Sequence, residues 1–317
     1  METLKKKIFD ILRLNNLFVD ELFFLAGDAS DRKYFEAKIS AKKVIIMIDE
    51  DSKNLKQFIK ITKALEKKIS VPEIYEVFPN HGLAIIENFG RSKYSKILTK
   101  KNSKELYKLA IENLIFLQNK KISVTLPKYD TRKFLEESNL FFDWYLPFFN
   151  IKKDNLKYKF NLIFKDLLKK LKELPQVFVH RDYHIDNLFF LKDRLGTKKC
   201  GWIDYQDALS GPSLYDLVSL TQDARIDVPK NIEEYLVNFY LEKNKIHNKV
   251  FFNFCYNLIA IQRHLKVLGI FCRLSKRDKK NMYLSHLPRV KKMLLSNLMK
   301  KDLSELFLIL GPFLKNE

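Results

Sequence analysis

The chain has 317 residues, 46% hydrophobic and 13% aromatic, enough for a large two-lobed core or two domains, which excludes a disordered chain. Its formal charge is +20, but 47 of the 58 basic residues are Lys, whereas reading of phosphates and bases favours the planar fork of Arg; the charge is read as a solvated surface, and specific nucleic-acid binding is not expected. No run of 18 apolar residues exists, so no membrane span is expected, and Cys200, Cys255 and Cys272 show no metal or disulfide spacing and fit free thiols in a reducing cytoplasm.

The first 14 residues set Leu4, Ile8, Ile11 and Leu12 on one helical face, while Lys5 to Lys7 break any long apolar run; the spacing predicts an amphipathic helix and not a secretion signal. Glu21 to Leu25 suit a short strand, 27–30 (GDAS) a turn, and 31–39 a second strand. Lys42 and Lys43 are expected in the next turn, and the β-branched run 44–48 (VIIMI) in a buried strand. Asp49 to Ser52 offer a cap for a helix over 53–68, with Leu55, Ile59, Thr62 and Leu65 along one face. The runs 73–78 and 83–88 flank Pro-Asn-His-Gly, a strong turn signal, and are expected to form a hairpin. Five strands and a helix thus make a small lobe ending near Glu87. Beyond it, 103–120, 131–146 and 155–173 carry helical spacing. Short β runs at 176–180, 188–191 and 200–204 interrupt them, and helices resume near Leu214.

That β-rich interruption carries the chemistry. HRDYHIDN, His180 to Asn187, follows an apolar strand, and a hairpin leads from it to Asp204. The order is that of a protein-kinase catalytic loop, with His-Arg-Asp and then Asn. Asp182 is expected to accept the proton of an attacking hydroxyl. Asn187 and Asp204 are expected to hold Mg²⁺, an ion that prefers oxygen donors. Phosphoryl transfer needs positioning and charge neutralisation more than covalent chemistry, so one base and two oxygen ligands are a sufficient kit. Gly27, Asp28, Ala29 and Ser30 join two strands with little side-chain bulk; backbone N–H groups in such a turn can approach phosphates, although a single glycine equally suits a plain hairpin.

HRDYHIDNLFFL together with GWIDYQDALSGPSLYDLVSL resembles the aminoglycoside-phosphotransferase-like kinases. Within them the chain is most similar to the kinases that phosphorylate the anomeric hydroxyl of N-acetylmuramate and N-acetylglucosamine. LAGDASDRKYF at 25–35, NLFFDWY at 139–145, IQRHLKVLGIFCRL at 261–274 and LPRV at 287–290 carry the same likeness, which spans about 20–295. It implies an α+β, bilobal protein-kinase-like fold, with a five-stranded N-lobe over 1–88, a mostly helical C-lobe over 89–317, and ATP in the cleft. It implies ATP as co-substrate with Mg²⁺, a small-molecule sugar as acceptor, and adenine pairing with the backbone of Glu87, Asn88 and Phe89. The alternative for these three residues is that they simply end a strand.

Met47 stands near the place where protein kinases carry a third-strand Lys; Arg32 or Lys33 on the neighbouring strand is the expected substitute at the phosphates. The residues nearest the chemistry for reading a sugar are His184, Gln206, Asp207 and Arg225, with an Asp207–Arg225 ion pair an equal alternative. His264 is expected to be a satisfied core histidine. The rival acceptors are choline, homoserine or an aminoglycoside, and the rival class is a nucleotide-binding pseudokinase that acts as an interaction protein.

Overall fold

Strand alternation and helical spacing resolve, in the computed structural model, into the order α1 (Glu2–Leu14), β1 (Leu22–Gly27), β2 (Lys33–Ile39), β3 (Lys42–Ile48), α2 (Ser52–Leu65), β4 (Ile74–Phe78), β5 (Leu83–Glu87), α3 (Tyr94–Ile97), α4 (Ser103–Gln118), α5 (Thr131–Ser138), α6 (Leu146–Phe148), α7 (Leu156–Leu168), β6 (Gln176–Val179), β7 (Leu188–Phe190), β8 (Cys200–Trp202), β9 (Leu209–Pro212), α8 (Tyr215–Thr221), α9 (Lys230–Lys243), α10 (Lys249–Asp278), α11 (Leu287–Leu298) and α12 (Ser304–Leu310). The structure describes residues 1–27, 32–49, 51–152 and 155–314. Asp28, Ala29 and Ser30 of the expected phosphate turn lie outside the described residues. The architecture is α+β, as expected. Packing divides the protein into one unit of Met1–Asn113, Lys120–Thr125 and Ile185–Asp207, and a second of Leu114–Asn119, Leu126–His184 and Ala208–Glu317.

The first unit is built on an antiparallel five-stranded sheet, in the order β1-β2-β3-β5-β4. Alternation puts Phe35 and Ala37 of β2, Val44, Ile46 and Ile48 of β3, and Leu83 and Ile85 of β5 in one apolar cluster with Ile8, Ile11 and Leu12 of α1. The amphipathic helix read from the first residues therefore covers this sheet. The β2–β3 turn is not at Lys42–Lys43 but at Ser40–Ala41, both left-handed (φ +47° and +67°), with Ile39 opposite Lys42. A two-residue turn of this hand matches the right-handed twist of the strands, and that match outweighs the cost of placing residues other than glycine there. In α2 the buried residues are Leu55, Phe58, Ile61, Thr62 and Leu65, so the face is rotated from the expected one and Ile59 falls at its edge.

The hairpin β7–β8 packs with this first unit through a set of specific bonds. Trp202 N donates to Ser70 O at 2.8 Å, Ser70 Oγ to Lys198 O at 2.6 Å, and Asn113 Nδ2 to Thr197 O at 2.6 Å. Arg194 Nη2 meets both oxygens of Glu87 at 2.6 and 2.8 Å, and the Tyr205 hydroxyl meets that of Thr62 at 2.7 Å. The hairpin that carries Asn187 and Asp204 is thus held by side chains from four separate stretches of the unit.

In the second unit the long helix α10 is buried along most of its length. The helix expected over 131–146 ends as α5 and continues as a π-helical turn at Phe141–Tyr145, where Phe141 stacks on Tyr145 at 4.8 Å. Periodicity does not distinguish the wider turn, because both kinds bury neighbouring aromatic residues. Gly269 of α10 lies directly against this segment: a Cβ there would fall 2.3 Å from the carbonyl carbon and oxygen of Leu140. Gly269→Ala is therefore expected to destabilise the protein by about 1–3 kcal/mol through overpacking. Urea unfolding measures it, and an unchanged midpoint would mean that α10 retreats at no cost. Among the described residues, no helix is long and apolar enough to cross a membrane, and all three cysteines are buried and outside any disulfide.

Candidate active site

In the first unit, the strand pair β7–β8 brings together two residues seventeen apart in sequence. Ile203 N donates to Asn187 O at 3.0 Å, which closes the ladder immediately before Asp204. Asp204 is left-handed, at φ +63°, which turns its side chain off the strand line. Asn187 Nδ2 lies 3.4 Å from Asp204 Oδ2, and Gln206 Nε2 donates to Asp204 Oδ1 at 2.8 Å. A carboxylate and an amide therefore share one place, with the carboxylate oriented by a buried glutamine. Oxygen donors of this kind, neither of them soft, fit Mg²⁺. Gln206, expected at the substrate, spends an amide N–H on Asp204, and Asp207 is exposed.

Arg32 is buried, with its Nε donating to Asp49 Oδ2 at 3.1 Å and its Nη1 3.5 Å from the Tyr34 hydroxyl. Asp49 Oδ1 accepts from Asp51 N at 2.9 Å, while Asp51, not Asp49, caps α2 by accepting from Lys53 N. The Arg32–Asp49 pair thus ties the start of β2 to the segment before α2. Lys33 is half-buried, opposite Ile48 of β3 and Gly27 of β1. Met47 is fully buried in β3, so the third strand offers no cation at that position.

The side chains of Glu87, Asn88 and Phe89 are turned to partners within the unit. Glu87 pairs with Arg194; Asn88 Nδ2 donates to Glu36 Oε2 at 3.0 Å and its Oδ1 accepts from Gly90 N at 2.8 Å. Phe89 packs edge-on against Phe189, with ring centroids 5.7 Å apart.

In the second unit, β6 leads directly into His180 and Asp182. The backbone amides of His180 and Arg181 donate to the two oxygens of the buried Asp216, at 2.6 and 3.0 Å. Arg181 is left-handed at φ +76°, a conformation that costs a residue other than glycine about 1–3 kcal/mol and persists only when its surroundings enforce it. Its carbonyl accepts from Arg263 Nη1 at 2.8 Å, and its side chain pairs with Glu137. Glu137 also receives Lys266 Nζ at 3.5 Å and the Tyr129 hydroxyl.

These charges set the state of Asp182. Burial alone would raise its carboxyl; the neighbouring Lys266, Arg263 and Arg225 outweigh burial and hold it well below the usual carboxylate range. Asp182 is therefore ionised throughout the working pH range. His184 goes the other way: burial first, then the charge of Arg225, push it well below its ordinary value, so the imidazole is neutral. A neutral His184 can donate to or accept from a polyol. Arg225 N donates to Asp223 Oδ1 at 2.8 Å, and both residues lie on the segment between α8 and α9. His264 is buried, its Nε2 2.8 Å from Gln222 Oε1, and burial lowers it to about 3; it is a core histidine, as expected, but only half satisfied, since its Nδ1 meets no hydrogen-bond partner among the described residues.

Sequence reasoning singled out Asp182, Asn187, Asp204 and His184 as candidates but passed over Glu137, Asp216, Arg263 and Lys266, which surround the loop. The available signal was polarity in the wrong place: Gln262, Arg263 and Lys266 fall within one turn of an otherwise apolar helix, and Asp216 is the lone charge in SLYDLVSL. Ionisable residues on a buried face are paired.

The phosphotransferase enzyme family model matches residues 22–247. The N-acetylmuramate/N-acetylglucosamine kinase of Pseudomonas aeruginosa is 32% identical over 280 residues, covering 85% of this chain and 81% of that protein. The protein of the same name from Neisseria meningitidis serogroup B is 31% identical over 288 residues, covering 85% and 83%. Among solved structures, the ADP-bound aminoglycoside phosphotransferase APH(2'')-Ib superposes with a TM-score of 0.62 at 17% identity, over 92% of this chain and 98% of that one. Choline kinase LicA from Streptococcus pneumoniae gives 0.63 at 14%, over 93% and 99%. At such identities the likeness is one of fold.

Proposed function

The chain belongs to the phosphotransferase enzyme family, and from that premise we propose that it transfers the γ-phosphoryl group of ATP to the anomeric hydroxyl of an N-acetylated amino sugar, N-acetylmuramate or N-acetylglucosamine. The observation that supports the chemistry is the loop of Asp182, its backbone fixed by Asp216 and Arg263, with the charges of Lys266, Arg263 and Arg225 favouring the ionised carboxylate. The relatives named for these two sugars, which align over more than four-fifths of both proteins, support the choice of acceptor.

Asp182 accepts the proton of the C1 hydroxyl as that oxygen attacks phosphorus. An anomeric hydroxyl is more acidic than an ordinary alcohol, which suits a carboxylate whose basicity its cations have reduced. Asn187 and Asp204 would hold Mg²⁺, which when bound neutralises charge on the phosphates. Gln206 keeps the Asp204 carboxylate in one orientation. The Glu87 carbonyl and the backbone of Asn88 and Phe89 would pair with adenine; the Glu87 N–H is taken by Glu73 O at 2.8 Å, and the three side chains are engaged elsewhere. Backbone N–H groups of Gly27, Asp28, Ala29 and Ser30 would approach the phosphates. Lys33, with Arg32 behind it, supplies positive charge there. His184, Asp207 and Arg225 read the sugar ring. In functional terms the division is 1–88 for nucleotide and 89–317 for catalysis and acceptor. An ATP-consuming enzyme with three buried thiols outside any disulfide suits the cytoplasm, and a sugar 1-phosphate suits cell-wall sugar recycling.

A blocked anomeric centre tests this reading. The free amino sugars are expected to be phosphorylated and their methyl glycosides not at all, because a methyl glycoside has no C1 hydroxyl. Phosphorus NMR should show a sugar 1-phosphate. Equal rates for glycoside and free sugar would move the reaction to another hydroxyl. Turnover of choline or an aminoglycoside in place of any amino sugar would overturn the acceptor alone.

A further inference from the structure

The catalytic loop reaches Asp182 through a residue that is conformationally costly. Arg181 sits at φ +76°, and nothing local to its sequence favours that region. Three groups enforce it. Asp216 takes its amide, Glu137 takes its guanidinium, and Arg263 Nη1 takes its carbonyl at 2.8 Å. The carbonyl belongs to the peptide bond that leads into Asp182, so its direction fixes where the Asp182 Cα and side chain point. Asp216 and Glu137 bind atoms on the far side of Arg181 from that peptide. The peptide itself is held at both ends, its carbonyl by Arg263 and its amide, Asp182 N, donating to His180 Nδ1 at 3.3 Å; of the two, Arg263 has the shorter bond and comes from a distant helix.

Arg263 is also the group whose chemistry suits the task. It is 2% exposed, in the middle of the long helix α10, and its guanidinium lies 5.7 Å from the Tyr215 ring. One turn later Lys266 Nζ reaches the Tyr215 hydroxyl at 3.4 Å and Glu137 at 3.5 Å. A planar fork wedged between an aromatic ring and a carbonyl has little freedom to swing, whereas an ammonium on a flexible stem would not hold the carbonyl in one direction.

We propose that Arg263 is a positioning residue for catalysis, acting through the Arg181 carbonyl to aim the Asp182 carboxylate at the acceptor hydroxyl. The inference rests on Asp182 being the base of the proposed reaction but not on which alcohol it serves. Arg263 also lends its charge to Asp182, and Arg263→Lys, which keeps that charge, separates the electrostatic effect from the positioning one. The positioning effect is on the geometry of Asp182, and a misplacement of about 1 Å at such a group lowers rate by about 10²-fold.

The test uses Arg263→Ala and Arg263→Lys in the full-length protein, assayed with the N-acetylated amino sugar and, separately, for slow ATP hydrolysis with water as acceptor. Arg263→Ala is expected to lose about 10²-fold in kcat, with KM for ATP and sugar within about threefold of the parent. Millimolar guanidinium should fill the space left and recover at least about tenfold of that loss, whereas ammonium at equal ionic strength should not. Arg263→Lys keeps the charge and most of the bulk, guards against a variant that does not fold, and is expected to show the same loss. Near-parental kcat in either folded variant overturns the inference, and so does a rise in KM at unchanged kcat, which would make Arg263 a binding residue. If the parent protein phosphorylates no amino sugar, the acceptor reading fails, and the inference is decided on the hydrolysis rates of the same variants.

Discussion

Asp182→Asn is expected to lower kcat by about 10²–10⁴-fold, the range for loss of a general base, while ATP still binds. The substitution preserves shape and most hydrogen bonds but removes a negative charge that Lys266, Arg263 and Arg225 share, leaving Lys266 its pairing with Glu137. Two consequences follow and should be measured together. Proton acceptance is lost, which appears in kcat. The cations also lose this shared anion, so affinity for ATP should hold or rise slightly, because the new net positive charge attracts phosphate. Steady-state kinetics with the amino sugar and calorimetric titration with ATP separate the two. Near-normal turnover in the purified variant would remove Asp182 from the reaction. A loss of ATP binding without a fall in kcat at saturation would make it a binding residue.

Asp204→Ala is expected to abolish Mg²⁺-dependent ATP binding, since it removes the carboxylate that would supply most of the metal's charge compensation. The backbone complicates this variant. Asp204 is left-handed, a region that alanine enters less readily than Asp or Asn. Asp204→Asn tolerates the same φ and isolates the charge; it is expected to reproduce the loss. Asn187→Ala should weaken binding less, because a neutral amide contributes less to a divalent cation than a carboxylate does. Titration of each variant with ATP, with and without Mg²⁺, gives the order. Unchanged affinity in both Asp204 variants would refute the metal assignment. A loss in the alanine variant alone would trace the effect to backbone strain.

Much of the first unit was legible in the sequence because its information is local. Alternating apolar residues and a Pro-Asn-His-Gly turn define β4 and β5 with no reference to distant residues. The β2–β3 turn slipped by two residues because Ser40–Ala41 carries no glycine or asparagine to mark a left-handed turn; the register of the two strands settles it. The face of α2 was read one position out for a similar reason: Phe58 and Ile61 are selected by what α2 packs on, as Phe58 stacks on Tyr205 at 5.8 Å, and Tyr205 lies nearly 150 residues later.

The same division runs through the candidate site. His180, Asp182, Asn187 and Asp204 stand out in the sequence because the pattern that a kinase loop would need, a carboxylate and oxygen donors at short, fixed offsets, is local to one loop and hairpin. The environment that conditions them does not. Glu137, Asp216, Arg263 and Lys266 come from three helices, separated from Asp182 by between 34 and 84 positions, and no spacing rule links them to it. Sequence alone determined the elements, the sheet-forming runs and the motif, because backbone propensity, hydrophobic period and motif spacing are properties of neighbouring residues. Tertiary structure decided how the charge on Asp182 is held, why Arg181 accepts a costly backbone angle, and where Arg263 points. Those depend on Coulomb interactions and hydrogen bonds between segments brought together only by burial of their apolar faces.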